Sequence, residues 1–584
     1  MNKNFFLIVL NFIINEISLT KSKLIFLRNF VKHYSILKFF FYCLNNSIIP
    51  IRDKNFRNYI LQNKKKWKFN KKINNNETKK YILVTNIVHH PGYTISEIII
   101  AKNLVNILRA DEAIALLDAY DPRSKIIFKS FGFRKFIYLN RSNFYIRLKY
   151  FVKAYYIIKS CKNIDDFLKL NLNKVEIGKA VYDNWLRFTG KGTTNKINTD
   201  FYRGLSKALL IYDQINKYLK QYNFIASVQA EKQFIPGLII FQSALVNSIN
   251  VYSRNGSGKL FSVRKFNDYN ERYKSRLKYS QKLFNEVEQS IKEKAIKEGG
   301  EIIIKRFKGI PEYQVRSGDH EYYEKHKWQK GKIVESIKKE HLDKKELCEK
   351  IGLNPTLPLA VVFSTDLTDG VFDVTWSLFR DRVIWLRSTL NEITKNTNVN
   401  WLVKPHPNDT RNKVITDTVS EYNKICSNFN HIKLFPSFLS NSSLPEIIDL
   451  AVTVNGSVVS EYPCFGIPAI LTAETNASGL GFAIEPKSKQ EYLNYLNSFK
   501  KPIKLNKNQM DRAKIFIYIS KVLTKIPVSL MSTYNIDHHL DKFFWDSMIK
   551  CLDNYNYEND LFRKMMKIQI ENNDWHTIDY NLLN

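Results

Sequence analysis

From Tyr81 onward, short apolar runs alternate with stretches of helical periodicity, and this alternation constrains the fold more than any other feature. Runs of this length read as buried strands of a parallel sheet, each returned by a helix. Strands are predicted at 81–88, 113–117, 136–139, 224–228 and 251–258, the last leaving into a glycine loop at Gly256 and Gly258. Helices are predicted from Ser96-Glu97 to Leu108, over 175–188, and over 236–245 with Pro236 in its first turn. A second series opens with a strand at 358–363. Trp376, Phe379, Val383, Leu386, Leu390 and Ile393 then recur at helical spacing and predict one amphipathic helix. Strands follow at 399–403, 432–435, 450–454 and 469–472. Between them lie a polar helix over 409–426, a capping box from Ser443 to Glu446, and a helix over 458–465 closed by Gly466. Two such series predict an α/β chain with two doubly wound, Rossmann-like domains.

A chain of 584 residues is too long for one core. Composition shifts divide it into a basic amphipathic extension (1–75), a first α/β domain (76–260), a charged helical bridge (261–354), a second α/β domain (355–500) and C-terminal helices (501–584). Lys and Arg number 90 against 55 Asp and Glu, a net charge of +35. An excess of this size is one mark of a nucleic-acid binder, but no nucleic-acid module is recognisable. Lys, Asn, Ile, Tyr and Phe are abundant together, as A/T-rich codons produce, and that accounts for much of the charge. The basic cluster at 64–72, with Trp67 and Phe69 inside it, also suits an anionic membrane surface.

The apolar run at 5–14 is shorter than the ~20 residues a membrane span needs, and no small-residue cleavage site follows it. A second run at 36–44 follows Lys21, Lys23, Arg28 and Lys32, which are interleaved with apolar residues. Two readings stand: helices lying in a membrane interface, or an amphipathic pair packed on the protein's own core. Residues 64–80 read as a linker. The six cysteines are scattered without a C-x-x-C pair, and the eleven histidines show no metal-ligand spacing. This fits a reducing cytosol and gives no metal site.

Two strand ends carry the chemistry. Trp401-Leu-Val-Lys-Pro-His-Pro407 ends in Lys404 and His406, and Val452-Thr-Val-Asn-Gly-Ser457 runs into a helix. Strand ends of this kind line the crevice at the carboxyl edge of a parallel sheet. These two stretches belong to a set of four. The others are Ser364 to Asp369 with the Trp376 helix and Trp385-Leu386, and Ser478-Gly-Leu-Gly-Phe482 with Pro486 and Glu491-Tyr492. In that order, over roughly 355–525, they resemble the bacterial capsule and surface-polysaccharide glycosyltransferases of GT-B architecture, such as the capsule-linker Kdo transferases. The teichoic-acid polyol-phosphate transferases are a more distant likeness. Fainter echoes lie at Ile177 to Arg187 and at Tyr252-Ser-Arg-Asn-Gly256. Ala477 stands where the family commonly has an aromatic residue, and Asn455-Gly456-Ser457 is a variant of its Gly-Thr or Gly-Ser step.

The resemblance implies two Rossmann-like domains facing a cleft, with a helical basic extension before them and a helical tail after. It implies transfer of a sugar from a CMP- or UDP-activated donor to a glycan or lipid-linked acceptor, at the cytoplasmic face of the inner membrane and peripheral to it. Transfer of a polyol phosphate from a CDP-polyol is the alternative within the same crevice. The residues suit either reaction. The donor leaves as a nucleotide, so charge grows on its phosphate, and preorganised donors lower that barrier. Gly456 and Ser457 offer backbone N–H groups at a helix start, Ser457 a hydroxyl, and His406 a ring N–H. Asn455 stands beside them, Glu461 one turn on is placed for the ribose hydroxyls, and Lys404 adds charge. His406 as a cap for the next helix and Ser457 as an N-cap are the plainer alternatives. No compelling Asp-x-Asp element is present, so metal-independent stabilisation of the leaving group is expected. For the catalytic base, His89, His90 and Glu231 follow strand ends of the first domain, and Asp369 follows one in the second.

Overall fold

The computed structural model describes residues 54–67, 79–88, 90–118, 122–139, 142–257, 260–273, 275–308, 339–411, 414–531, 542–573 and 578. The apolar runs at 5–14 and 36–44, His89, Gly258 and most of the 64–80 linker lie outside these residues. The strands are β1 (Tyr81–Asn86), β2 (Glu112–Asp118), β3 (Lys135–Leu139), β4 (Phe224–Val228), β5 (Asn250–Ser257), β6 (Leu260–Phe266), β7 (Leu359–Phe363), β8 (Asn400–Lys404), β9 (Ile432–Leu434), β10 (Leu450–Thr453), β11 (Ala469–Leu471) and β12 (Ile526–Pro527). They form a seven-stranded sheet, β12-β6-β5-β4-β1-β2-β3, and a five-stranded sheet, β11-β10-β7-β8-β9. The chain divides accordingly into two compact units. The first comprises Met1–Val181, Lys196–Tyr269 and Pro527–Asp574; the second comprises Tyr182–Asn195, Asn270–Ile526 and Trp575–Asn584.

In the first unit β3, β2, β1, β4 and β5 are parallel neighbours. The chain begins at the central strand and winds outward both ways, the order of a Rossmann-like fold. The expected glycine loop after the fifth strand is instead an antiparallel hairpin, with Gly256 opposite Phe261 and Ser257 opposite Leu260. Two apolar runs so close along the chain favour that pairing. The helix after β1 starts at Pro91, earlier than Ser96, because proline's fixed φ suits the first helical position. It is buried all round from Thr94 to Ala101. The helix Lys54–Lys66 buries Phe56 and Tyr59 against Trp545, with ring centroids 4.8 and 5.2 Å apart. Lys66 Nζ donates to the Leu552 and Tyr555 carbonyls at 2.8 and 2.9 Å. Lys64 to Lys66 are therefore the last turn of a packed helix, where cations suit the dipole, and are not linker.

The second unit's sheet is parallel throughout. Alternate residues along each strand enter different cores. Leu359, Val361, Leu402 and Ala451 join one cluster with Phe516 and Ile519, and Ala360, Val362, Trp401 and Val452 join the other with Leu386 and Tyr492. A sheet buried on both faces needs helices on both, as the continuous apolar runs require. The single helix expected from Trp376 is shorter, Arg382–Ile393. Asp381 takes the Ile384 N–H at 2.9 Å and caps it, so Trp376 and Phe379 pack from an irregular segment. Likewise Asp417 caps Thr418–Ile425, splitting the polar helix from Asn408–Arg411. The capping box at Ser443 does not form: its Oγ accepts from Leu342 N, and Glu446 meets His341.

Candidate functional site

In the second unit the strand order reverses between β7 and β10, so the carboxyl ends of these strands and of β8 form the edge where ligands bind such sheets. His406 stands two residues beyond β8. Its Nδ1 accepts the Asn408 backbone N–H at 3.2 Å, which is the capping role. That bond also sets the tautomer: the proton sits on Nε2, which has no hydrogen-bond partner among the described residues. Burial holds the ring's pKa below the ordinary histidine value, so the neutral donor is the resting form.

Asp366, just past β7, anchors this arrangement. Its Oδ1 accepts from Thr368 N and Oγ1 at 3.1 and 3.0 Å, and its Oδ2 accepts from Asn408 Nδ2 at 3.0 Å and Arg187 at 3.3 Å. Burial pushes its carboxyl up, but the hydrogen bonds from Thr368 and Asn408 and the Arg187 charge outweigh it and leave the pKa below the usual range. Arg187 also lies 4.0 Å from Asp369, so the structure places that candidate beside His406's support. Arg187 belongs to the segment Tyr182–Asn195, which is part of the second unit. Tyr182 and Thr193 both donate to Asp381 Oδ2 at 2.8 Å, and Asp183 takes the Val371 N–H at 3.0 Å. Arg187, within the stretch that was a faint echo in sequence, thus brings a cation to Asp366 and Asp369 just past β7.

At the end of β10, Asn455 and Gly456 are half-buried and Ser457 is exposed. Ser457 makes no side-chain cap bond, so its hydroxyl is uncommitted among the described residues, contrary to the N-cap reading. The α-helix it starts is one turn, Val458–Glu461, continued by the 3-10 turn Tyr462–Phe465, so its dipole is small. Thr365, Thr453 and Thr472 each keep a buried hydroxyl without a partner among the described residues, and all three lie at or just past strand ends. Buried hydroxyls without partners are costly, and a bound polar ligand relieves that. Two residues stand differently from expectation. Glu461 is buried against Arg306, its Oε1 2.9 Å from the guanidinium, and is not open to a ribose. Lys404 lays its Nζ 4.7 Å over the Phe435 ring, and burial pushes its pKa down to about 8, with Lys339 adding to the effect.

The first unit has the same topology, with its reversal between β1 and β4. His90 is the N-cap of Pro91–Ile107, and its ring meets Tyr93 edge-on at 5.6 Å. Glu231 accepts from Gln233 N at 2.8 Å and braces the turn after β4. Sequence reasoning missed Glu97, which accepts the Ala230 N–H at 2.7 Å and so ties the helix to the β4 end. It is 3% exposed, and burial pushes its carboxyl up to about 8. A lone carboxylate within Ile95-Ser-Glu-Ile-Ile-Ile-Ala101 was the available signal. Arg306 had no local signal at all. Among the described residues no group of three His, Cys, Asp or Glu side chains is placed to hold a metal.

No protein-family model matches this chain, and no curated protein does. Among solved structures it is similar to the KpsC beta Kdo 2,4 transferase of Thermosulfurimonas dismutans (9% identity, 56% of this chain and 88% of that chain, TM-score 0.29). It is also similar to a glycosyltransferase from Rickettsia africae (11% identity, 82% and 100%, TM-score 0.24) and to the UDP-GlcNAc 2-epimerase from Neisseria meningitidis bound to UDP-GlcNAc (10% identity, 75% and 94%, TM-score 0.24). Likeness this faint carries no argument about the chemistry of this chain, which rests on the sheet order and the residues at its edges.

Proposed function

We propose that the protein is a glycosyltransferase that takes a sugar from a CMP- or UDP-activated donor and passes it to a glycan or lipid-linked acceptor in surface-polysaccharide synthesis. One observation carries the reading: a neutral His406, its tautomer set by Asn408, presents Nε2–H at the edge where the second sheet's strand order reverses. A donor fixed before the phosphate accumulates charge needs no reorganisation as the bond breaks. Ser457 and the threonine hydroxyls at the strand ends of the same sheet are further donors available to a ligand. Asp366 and Arg187 hold the assembly without touching the phosphate themselves. Asp369, half-buried beside Arg187 in the same unit, is the candidate acceptor of the hydroxyl's proton. The basic cluster at 64–72, with Trp67 and Phe69 inside it, supports work at an anionic membrane surface. Among the described residues no helix is long and apolar enough to cross a membrane.

The test is separate incubation with labelled CMP-sugars, UDP-sugars and a CDP-polyol. Consumption of a nucleotide-sugar by the wild type, lost in His406→Ala with the fold intact, is the expected outcome. Consumption of the CDP-polyol alone moves the reaction to phosphorus and replaces this reading. Turnover by His406→Ala at the wild-type rate removes its basis.

A further inference from the structure

The first unit's edge holds a cation that the donor chemistry does not use. The helix Pro91–Ile107, seventeen residues long, starts just past β1, beside the point where that sheet's order reverses. Its N-cap, His90, makes no side-chain cap bond, and Pro91 brings no N–H. The N–H groups of Gly92 and Tyr93 therefore point out of the helix without an acceptor among the described residues. Such a helix start favours an anion. A Cβ at Gly92 would meet the His90 ring at 3.3 Å, so glycine lets that ring lie close against the opening.

A second observation is independent of the helix. Arg254, on β5, is 8% exposed, and its guanidinium carbon lies 4.1 Å from the centre of the Tyr93 ring, on the first turn. Its Nε is buried without an acceptor, and it makes no ion pair among the described residues. A buried guanidinium is normally matched by a hydrogen-bonded carboxylate, because desolvating an unpaired charge is expensive. Burial raises the pKa of the nearby Glu97 and the Arg254 charge lowers it, but no hydrogen bond among the described residues joins the two, and Arg254 Nε stays without an acceptor. Helix start and guanidinium together lack one thing, an oxyanion.

We infer that Arg254 and the start of this helix form an oxyanion site that holds a phosphate or carboxylate group of the acceptor. That the anion belongs to the acceptor rests on the glycosyltransferase reading; the anion site itself does not. A planar, forked guanidinium reads either group by paired hydrogen bonds, so a lipid-linked phosphate and an acidic sugar share the chemistry.

The test uses the full chain carrying His406→Ala, which removes the donor-side phosphate contact. Calorimetric titration at fixed ionic strength is made with inorganic phosphate and, separately, with glucuronate. Binding of either is expected, phosphate pointing to a lipid-linked acceptor and glucuronate to an acidic glycan. Adding Arg254→Lys, which keeps the charge and loses the fork, should weaken that binding about tenfold. Should the lysine variant unfold, protection of Arg254 from phenylglyoxal by the bound probe, read by mass spectrometry, examines the same contact. Absence of binding by both probes, unchanged affinity in a folded lysine variant, or no protection overturns the site. Failure of the donor reading shows elsewhere, as wild-type donor turnover by His406→Ala, and leaves this titration unaffected.

Discussion

At His406 the decisive quantity is which ring nitrogen holds the proton. Asn408's N–H occupies Nδ1, so only Nε2 donates. His406→Ala should lower transfer by roughly 10²–10³-fold, read in kcat, as loss of one preorganised donor does. The pH profile follows from the sign of the shift. Burial places the ring's pKa below 6.5, so the neutral form persists as pH falls and the acid limb of the rate lies below that value. Protonation there sets two N–H groups against each other, and stability falls too, because the fold favours the neutral ring while the unfolded chain takes the proton first. Asp366's charge raises the ring's pKa, so Asp366→Asn should move the acid limb to lower pH and slow the reaction; an unmoved limb in the rate profile would break that link. His406, Ser457 and the two strand ends were legible in sequence because proline and glycine punctuate them. Glu461's pairing was not, since Arg306 lies far away along the chain and meets it only through packing.

Among the elements, the helices Lys292–Phe307 and Lys507–Tyr518 show how closely two backbones approach. A Cβ on Gly299 would lie 2.0 Å from the Lys514 carbonyl oxygen, whereas one on Gly300 would meet only the Lys514 side chain at 3.6 Å. Gly299→Ala should therefore destabilise by about 1–3 kcal/mol or more through overpacking. Gly300→Ala should stabilise by about 0.5–1 kcal/mol through helix propensity. Denaturant unfolding of the pair checks both, and equal effects would contradict the close crossing. The strands were read well from their apolar runs, whereas helix starts were misplaced wherever a side chain decided them. Asp381 and Asp417 cut two predicted helices short, and Pro91 began one early. The order 3-2-1-4-5 in each sheet depends on pairings between distant segments, which periodicity does not encode.

Across the whole molecule the chain returns on itself. Residues 527–574 belong with the first unit, where Trp545 receives Phe56 and Tyr59, and Gln569 donates to the Val263 carbonyl at 2.7 Å. A two-residue strand, Ile526–Pro527, marks the return and is too short to read from sequence. This bears on any truncation used to test membrane attachment. The protein lacking residues 1–53 sets the reference thermal midpoint and, if the basic N-terminal segment is the anchor, should shift to the soluble fraction. Removal of residues 1–75 also deletes Lys54–Lys66, uncovers Trp545, and should lower the midpoint markedly. Equal midpoints for the two truncations would contradict that packing.

The central claim is that the second unit's edge holds the donor's phosphate through His406. A crystal structure with bound CMP or UDP tests it most directly. The account predicts a phosphate oxygen within about 3 Å of His406 Nε2, with Ser457 on the same phosphate. A nucleotide bound elsewhere, or bound at this edge with Nε2 turned away from its phosphates, would contradict it.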